Sequence, residues 1–270
     1  MKSVVHEFYA FFDRSWRLLW TGLSFSLFGL GGIVLGLVVF PLLGLLVWNA
    51  DRRERLARLI ISKLFLWFIN FMAIFVLRYR IHGQTGREDL SACLITANHP
   101  SLIDTVFLLA LFPGADCVVK RAHWNNPFTM LAVRFARYIP NNDPQQLMES
   151  AVERLRRGRH LVLFPEGTRT EPGGEPVVKR GAAVIALQAS ADVLPVSIHC
   201  HPVTLTKDQP WYAIPEKRVE FDIRLLPQLQ ASSYLDAYPS LRKASFVMTE
   251  DLKTRMLAGI ESGKDLEKVA

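Results

Sequence analysis

Between Leu23 and Trp48 no side chain carries a charge. Twenty-six such residues, at about 1.5 Å rise each, are long enough as a helix to cross a hydrocarbon core of about 30 Å. A run of this kind must bury itself in lipid or in a large apolar interface, so it constrains the chain more than any other stretch. It can span once. It can also enter and leave as a hairpin, because Gly29, Gly31, Gly32, Gly36, Pro41 and Gly44 interrupt it. Upstream, residues 1–20 predict an amphipathic helix in which Phe8, Phe11, Phe12, Trp16, Leu19 and Trp20 recur at helical spacing. Aromatic residues of this kind suit a membrane interface or packing on the rest of the protein. A basic connector, residues 51–58, leads to a second apolar run at about 59–77. Lys63 and Asn70 interrupt that run seven residues apart, which favours an interfacial or packed helix over a clean span.

Basic residues flank each junction: Lys2, Arg14 and Arg17 before the first run, four arginines between the runs, Arg78 and Arg80 after the second. Positive charge marks the cytoplasmic side of a membrane. A re-entrant or surface-lying unit satisfies all three flanks, whereas two full spans misplace one. The N-terminus lacks the pattern of a signal peptide, since charged residues precede a run too long for an h-region. Half of the residues are hydrophobic, and the mean hydropathy of +0.18 is raised by the part before residue 80. The formal net charge of +7 points to an anionic partner. No zinc-finger spacing or RNA-recognition motif is present, so nucleic acid is not expected as that partner. Three widely spaced cysteines, Cys93, Cys117 and Cys200, give no disulfide framework and fit a reducing compartment.

After residue 80 short apolar runs alternate with amphipathic ones. Strands are expected at 76–82, 92–97, 116–120, 160–164, 193–200 and 218–225. Helices are expected at 102–112, 127–137, 144–157, 180–190 and 239–259. This texture predicts an α/β fold, a mixed, mostly parallel sheet flanked by helices, with an N-terminal helical membrane-anchoring unit. The expected organisation is residues 1–78 as membrane-associating helices, 79–262 as the α/β domain and 263–270 as a frayed tail.

Two motifs sit at strand ends. Asn98-His99-Pro100-Ser101-Leu102-Ile103-Asp104 places an imidazole and a carboxylate five residues apart where a strand gives way to a helix. Ligands of α/β folds commonly bind at that edge. An imidazole titrates near neutral pH and can take a proton from an attacking hydroxyl. A carboxylate such as Asp104 can orient the ring and stabilise the imidazolium. Ser101 to Asp104 also has the form of a capping box before an apolar run, and both readings of Asp104 stand on sequence. Ser101 lacks the Gly-x-Ser-x-Gly surround of a nucleophile. His99 and Asp104 lack a third ligand for a metal, and so do His199 and His201. Phe164-Pro165-Glu166-Gly167-Thr168-Arg169 follows another strand. Gly167 permits close backbone approach to a ligand, Arg169 can grip a phosphate through two parallel hydrogen bonds, and Glu166 can orient a hydroxyl or hold the loop.

With these blocks in this order, the chain closely resembles the 1-acylglycerol-3-phosphate O-acyltransferase (lysophospholipid acyltransferase) family. That family carries Asn-His-x-x-x-x-Asp and then Phe-Pro-Glu-Gly-Thr-Arg. Further agreement covers Val118-Val119-Lys120, Val178-Lys179-Arg180-Gly181 and Leu194-Pro195-Val196, and the resemblance runs over roughly residues 75–225. It implies a membrane-bound enzyme of phospholipid biosynthesis, at the inner (cytoplasmic) membrane with the catalytic domain facing the cytoplasm. It implies His99 as general base and Asp104 as its partner, with direct transfer of a fatty acyl group from acyl-ACP or acyl-CoA to a hydroxyl of a lysophospholipid. Glu166, Gly167, Thr168 and Arg169 would hold the acceptor, with Lys120 and Lys179 adding positive potential. No cofactor and no metal are implied.

One block departs from the family pattern. A Gly-x-x-x-x-x-Arg segment, whose Arg helps to bind the acceptor phosphate, is replaced by the stretch from Ala136 to Asp143. Ala136 stands for the glycine, Asn142 or Asp143 occupies the Arg neighbourhood, and Arg137 is a shifted substitute. Loss of one charge-assisted contact costs about 1.5–3 kcal/mol. The acceptor is therefore either lysophosphatidic acid or a different lipid-like hydroxyl. A lipid or thioester hydrolase and a non-catalytic lipid-binding protein are the remaining alternatives.

Overall fold

The computed structural model describes residues 2–83, 91–207 and 209–267, with side chains from Phe11 to Lys264. Phe8, expected on the apolar face of the first helix, and residues 268–270 of the expected tail lie outside the described side chains. Helix α1 (Lys2–Val34) runs into a π-helical turn (Leu35–Val39) and then α2 (Phe40–Leu46) without a reversal. Of the two courses open to the uncharged run, a single helix or a hairpin, it follows the first, as one continuous helical rod. Pro41 lies in the first turn of α2, where its missing N–H is tolerated. The glycines do not break the rod. They admit neighbours: a Cβ on Gly32 would collide with the Phe128 carbonyl oxygen, and one on Gly36 would stand 2.6 Å from Leu131 Cδ1.

The reversal comes at Val47–Asn49. Asn49 caps α3 (Ala50–Phe75), its side chain accepting the Arg52 N–H at 2.9 Å. The basic connector is thus the first two turns of α3. The helices form a hairpin in which the Trp20 and Phe75 rings stack at 3.6 Å. Phe11–Leu46 and Ala50–Phe75 are both long and apolar enough to cross a membrane. The hairpin leaves Leu45, Leu46 and Trp48 exposed, Trp48 at 90%.

The start of α3 nevertheless belongs to the domain. Arg58 Nη1 lies 2.7 Å from both Glu54 and Asp116, and Glu54 also takes Arg154 and Arg159, the latter at 2.8 Å. Two carboxylates and three guanidiniums, largely withdrawn from water, bind α3 to the sheet and to the region after it.

The sheet has seven strands: β1 (Leu77–His82), β2 (Cys93–Ala97), β3 (Asp116–Lys120), β4 (Ile139–Asn141), β5 (Leu161–Leu163), β6 (Asp192–His201) and β7 (Val219–Leu225). Their order is β1-β7-β6-β2-β5-β3-β4. All neighbours are parallel except β6 and β7. Central β2, Cys-Leu-Ile-Thr-Ala, is buried throughout, as a strand covered on both faces must be. One face carries α4 (Asp104–Leu111) beneath α3. The other is covered by α7 (Pro144–Arg156), α8 (Gly181–Ala189) and α10 (Leu241–Glu267). This is the mixed α/β architecture expected from sequence, with apolar helices at its N-terminus. The boundary placed after residue 78 falls inside β1, and α10 runs five residues past the expected domain end at 262, into the proposed tail. Three short elements escape the sequence pattern: α5 (Ala122–Asn125), edge strand β4 with its Pro140, and α9 (Ala231–Ala237).

Candidate active site

The parallel strands β2, β5, β3 and β4 deliver their following loops to one edge of the sheet. At the end of β2, Asn98 is buried. Its Nδ2 donates to the Ile198 carbonyl and its Oδ1 accepts the Ile198 N–H, both at 2.7 Å. This side chain replaces a rung of the ladder with β6 and fixes the point where the chain leaves the sheet.

His99 follows, held through its backbone. Its N–H donates to Glu166 Oε1 at 3.0 Å, and its carbonyl accepts the Thr170 N–H at 2.8 Å. Thr170 Oγ1 donates to the same Glu166 oxygen at 2.7 Å. The imidazole stacks on Phe164, with centroids 4.1 Å apart and planes 20° apart. Nδ1 faces Asp104 Oδ2 at 2.9 Å. The side chain is 15% exposed, and Nε2 has no hydrogen-bond partner among the described residues.

Asp104 opens α4 and is fully buried. Oδ2 also accepts the Ser101 N–H at 2.6 Å. That bond is half of a capping box. The other half is missing, because Ser101 Oγ is buried without a hydrogen-bond partner among the described residues. One carboxylate oxygen thus closes the turn into the helix and grips the ring, so the two readings of Asp104 coexist. Burial pushes its carboxyl above the ordinary range. Hydrogen bonds from His99 and Ser101 and the charges of His99 and Arg169 pull the other way.

Glu166 is 5% exposed and turned inward. Burial raises its carboxyl, while the Thr170 and His99 hydrogen bonds oppose that rise. Its bonds hold the loop under His99. Gly167 adopts φ +72°, the left-handed region that favours glycine. The Lys179 ammonium lies 3.4 Å from where a Gly167 Cβ would stand. Thr168 is exposed on the same turn. Arg169 does not point a free fork outward: its Nη1 donates to the carbonyls of Leu205 and Thr206, each at 2.8 Å. Lys120, exposed at the end of β3, faces Asn141 of β4 in register.

The departed middle block resolves into separate jobs. Asp143 caps α7, accepting the N–H groups of Gln145 and Gln146 at 2.9 and 3.1 Å. Arg137 precedes β4 and lies 3.7 Å from Glu54, at the opposite edge of the sheet. The notion of Arg137 as a shifted substitute is therefore corrected: it turns to the buried carboxylate of Glu54 on α3. His99, Asp104 and Glu166 converge directly, Gly167 meets Lys179, and Lys120 stands across the strand ends. Sequence reasoning gave no role to Asn98 or Phe164, although both lie inside the quoted motifs. It passed over Thr170, one residue beyond the second motif.

These features define a class: three-layer α/β proteins with a histidine–carboxylate pair at the carboxyl edge of a mostly parallel sheet. Residues 78–199 match the family model described as Acyltransferase. That segment of the chain is similar to that family. A 1-acyl-sn-glycerol-3-phosphate acyltransferase of Pseudomonas aeruginosa is 30% identical over 127 residues, covering 45% of this chain and 49% of the relative. That of Helicobacter pylori is 34% identical over 121 residues, covering 42% and 51%. The human 1-acyl-sn-glycerol-3-phosphate acyltransferase beta is 25% identical over 138 residues, covering 48% and 50%. The matched segments span about half the length of these curated relatives. The crystal structure of the 1-acyl-sn-glycerophosphate (LPA) acyltransferase PlsC from Thermotoga maritima superposes with a TM-score of 0.68. That match covers 93% of this chain and 98% of the other at 18% identity, a likeness of fold.

Proposed function

We propose that this protein is a membrane-bound O-acyltransferase that moves a fatty acyl group from an acyl thioester to a hydroxyl of a lysophospholipid such as 1-acylglycerol-3-phosphate. The observation that carries the proposal is the His99–Asp104 pair, with Nδ1 2.9 Å from a fully buried carboxylate and Nε2 left open. In the reaction, Nε2 takes the proton of the acceptor hydroxyl as its oxygen attacks the thioester carbonyl carbon. Asp104 stabilises the imidazolium through Nδ1. The tetrahedral intermediate collapses, the carbon–sulfur bond breaks, and the departing thiolate takes the proton from Nε2. An ester and a free thiol result, with no acyl-enzyme. Phe164 and the Asn98 anchor keep the ring from turning, which such proton transfer requires.

Acyl-ACP or acyl-CoA is the donor. Lys120 and Lys179 supply positive potential for the acceptor's anion, while Arg169 shapes the site by holding Leu205 and Thr206. The apolar rods α1–α2 and α3 attach the protein to the lipid bilayer of the inner membrane, with the α/β domain on the cytoplasmic side. The buried charge cluster on the first turns of α3 favours a surface-lying unit over two full spans, because those turns are already inside the domain.

A second reading concerns the acceptor alone. Asn141 beside Lys120 offers no charge to a phosphate, which favours a different lipid-like hydroxyl acceptor. A mass-spectrometric screen of lysolipids and hydroxylated lipids, each with acyl-ACP and acyl-CoA, separates these readings. Acyl transfer to one or more acceptors is expected. Thioester cleavage indifferent to every acceptor contradicts transfer and indicates a hydrolase.

A further inference from the structure

We infer that His123 is a specificity-determining residue of the acceptor site, reading an uncharged polar group, such as a headgroup hydroxyl, that lies beside the acceptor's anion. The inference rests on the transferase reading above and names the kind of lipid that reading leaves open.

The argument begins with placement. Strand β3 ends at Lys120, and α5 starts two residues later, so His123 stands at the same sheet edge as His99. Strand β5, between β2 and β3, leads into the turn that carries Arg169. His123 is near enough to Lys120 and Arg169 to feel both charges. Burial, then Lys120, then Arg169 lower its pKa from the ordinary imidazole value. The ring is therefore neutral at neutral pH, with one N–H to donate and one nitrogen to accept. Only its backbone carbonyl is engaged, accepting Thr129 Oγ1 at 3.0 Å, and its ring has no hydrogen-bond partner among the described residues. A half-buried neutral imidazole with both polar atoms open, flanked by two cations, suits a ligand that joins an anion to a hydroxyl.

The segment is also fixed in place. Its Phe128 carbonyl sits against Gly32, and Leu131 packs on Gly36 of the π-helical turn. Arg134 Nη2 donates to the Trp124 carbonyl at 3.4 Å, tying α6 (Met130–Phe135) back to α5. A prepositioned hydrogen-bonding group contributes specificity because little ordering remains to be done on binding. His123 does not touch the reacting atoms in this account. It sorts acceptors.

The test uses the full chain in detergent or lipid vesicles, with one acyl thioester and two acceptors: lysophosphatidylglycerol, whose headgroup bears hydroxyls, and lysophosphatidic acid, whose headgroup is a bare phosphate. The ratio of kcat/KM for the two is measured in the unaltered protein, His123→Ala and His123→Gln. The expected result is a preference for the hydroxylated headgroup that falls roughly fivefold in His123→Ala, mainly through KM, as for loss of one neutral hydrogen bond. His123→Gln, which keeps a donor and an acceptor, should recover part of the preference. The melting temperature should not move. An unchanged ratio in His123→Ala, an equal loss in both variants, or no transfer to the hydroxylated acceptor by the unaltered protein overturns the inference while leaving transfer to lysophosphatidic acid standing. No transfer to either acceptor overturns the transferase reading as well.

Discussion

His99 Nδ1 and Asp104 Oδ2 are 2.9 Å apart, and the same carboxylate oxygen accepts the Ser101 N–H at 2.6 Å. The base is therefore oriented by the group that also closes the turn into α4. Asp104→Asn keeps an acceptor for the Ser101 N–H but can no longer stabilise the imidazolium. The expected outcome is a fall in acyl-transfer kcat of about 10³-fold, with acceptor KM nearly unchanged. Steady-state kinetics beside a thermal melt read both.

Asn98 makes a paired hydrogen bond across to Ile198 in the middle of the sheet. Asn98→Ala strands a buried N–H and a buried carbonyl. The expected loss of stability is about 2–4 kcal/mol. Denaturant unfolding of the domain checks this.

Glu54 faces Arg58, Arg154 and Arg159 where water is scarce. In Glu54→Ala, buried Asp116 and the exposed Asp51, which reaches Arg159 alone, are left to balance the three guanidiniums among the described residues. Breaking a buried ionic cluster from one side costs about 3–5 kcal/mol. Because the cluster joins α3 to the sheet, limited proteolysis should open the α2–α3 region before the rest of the domain.

Cys93 and Cys117 are fully buried, and burial first, then Asp192 and Asp116 respectively, pushes each thiol up to about 12. Their ordinary value is about 8.5. Below it both states are protonated and nothing is lost. Above it the unfolded thiols ionise while the folded ones do not, so stability should decline as pH rises from about 8.5 toward about 12. Neither thiol should react with iodoacetamide at pH 8 until the protein is unfolded. Mass spectrometry with and without denaturant reads the difference.

Much of the fold was legible because β2, β5 and β6 are apolar runs bounded by polar turns, β7 alternates apolar and charged residues, and α7 keeps a clear helical periodicity. β4 escaped because three residues around Pro140 carry no pattern. The glycines of the N-terminal rod were read as interruptions. Their reason lies far off in sequence, in the backbone of Phe128 and the side chain of Leu131. The His99–Asp104 geometry was legible, since a strand end and a helix start fix the five-residue interval. The restraint of Arg169 by Leu205 and Thr206 was not, because carbonyls of a distant loop leave no trace in side-chain identities. Glu166 was ambiguous for the same kind of reason: whether a carboxylate faces a ligand or the His99 N–H is decided by the loop's fold.

The most direct test of the account is acyl transfer by His99→Ala, followed by mass spectrometry with the best donor and acceptor pair, beside a thermal melt and a vesicle-flotation assay. The account predicts a loss of at least about 10³-fold in product formation, with folding and membrane attachment retained. Transfer at a rate near that of the unaltered protein would contradict it.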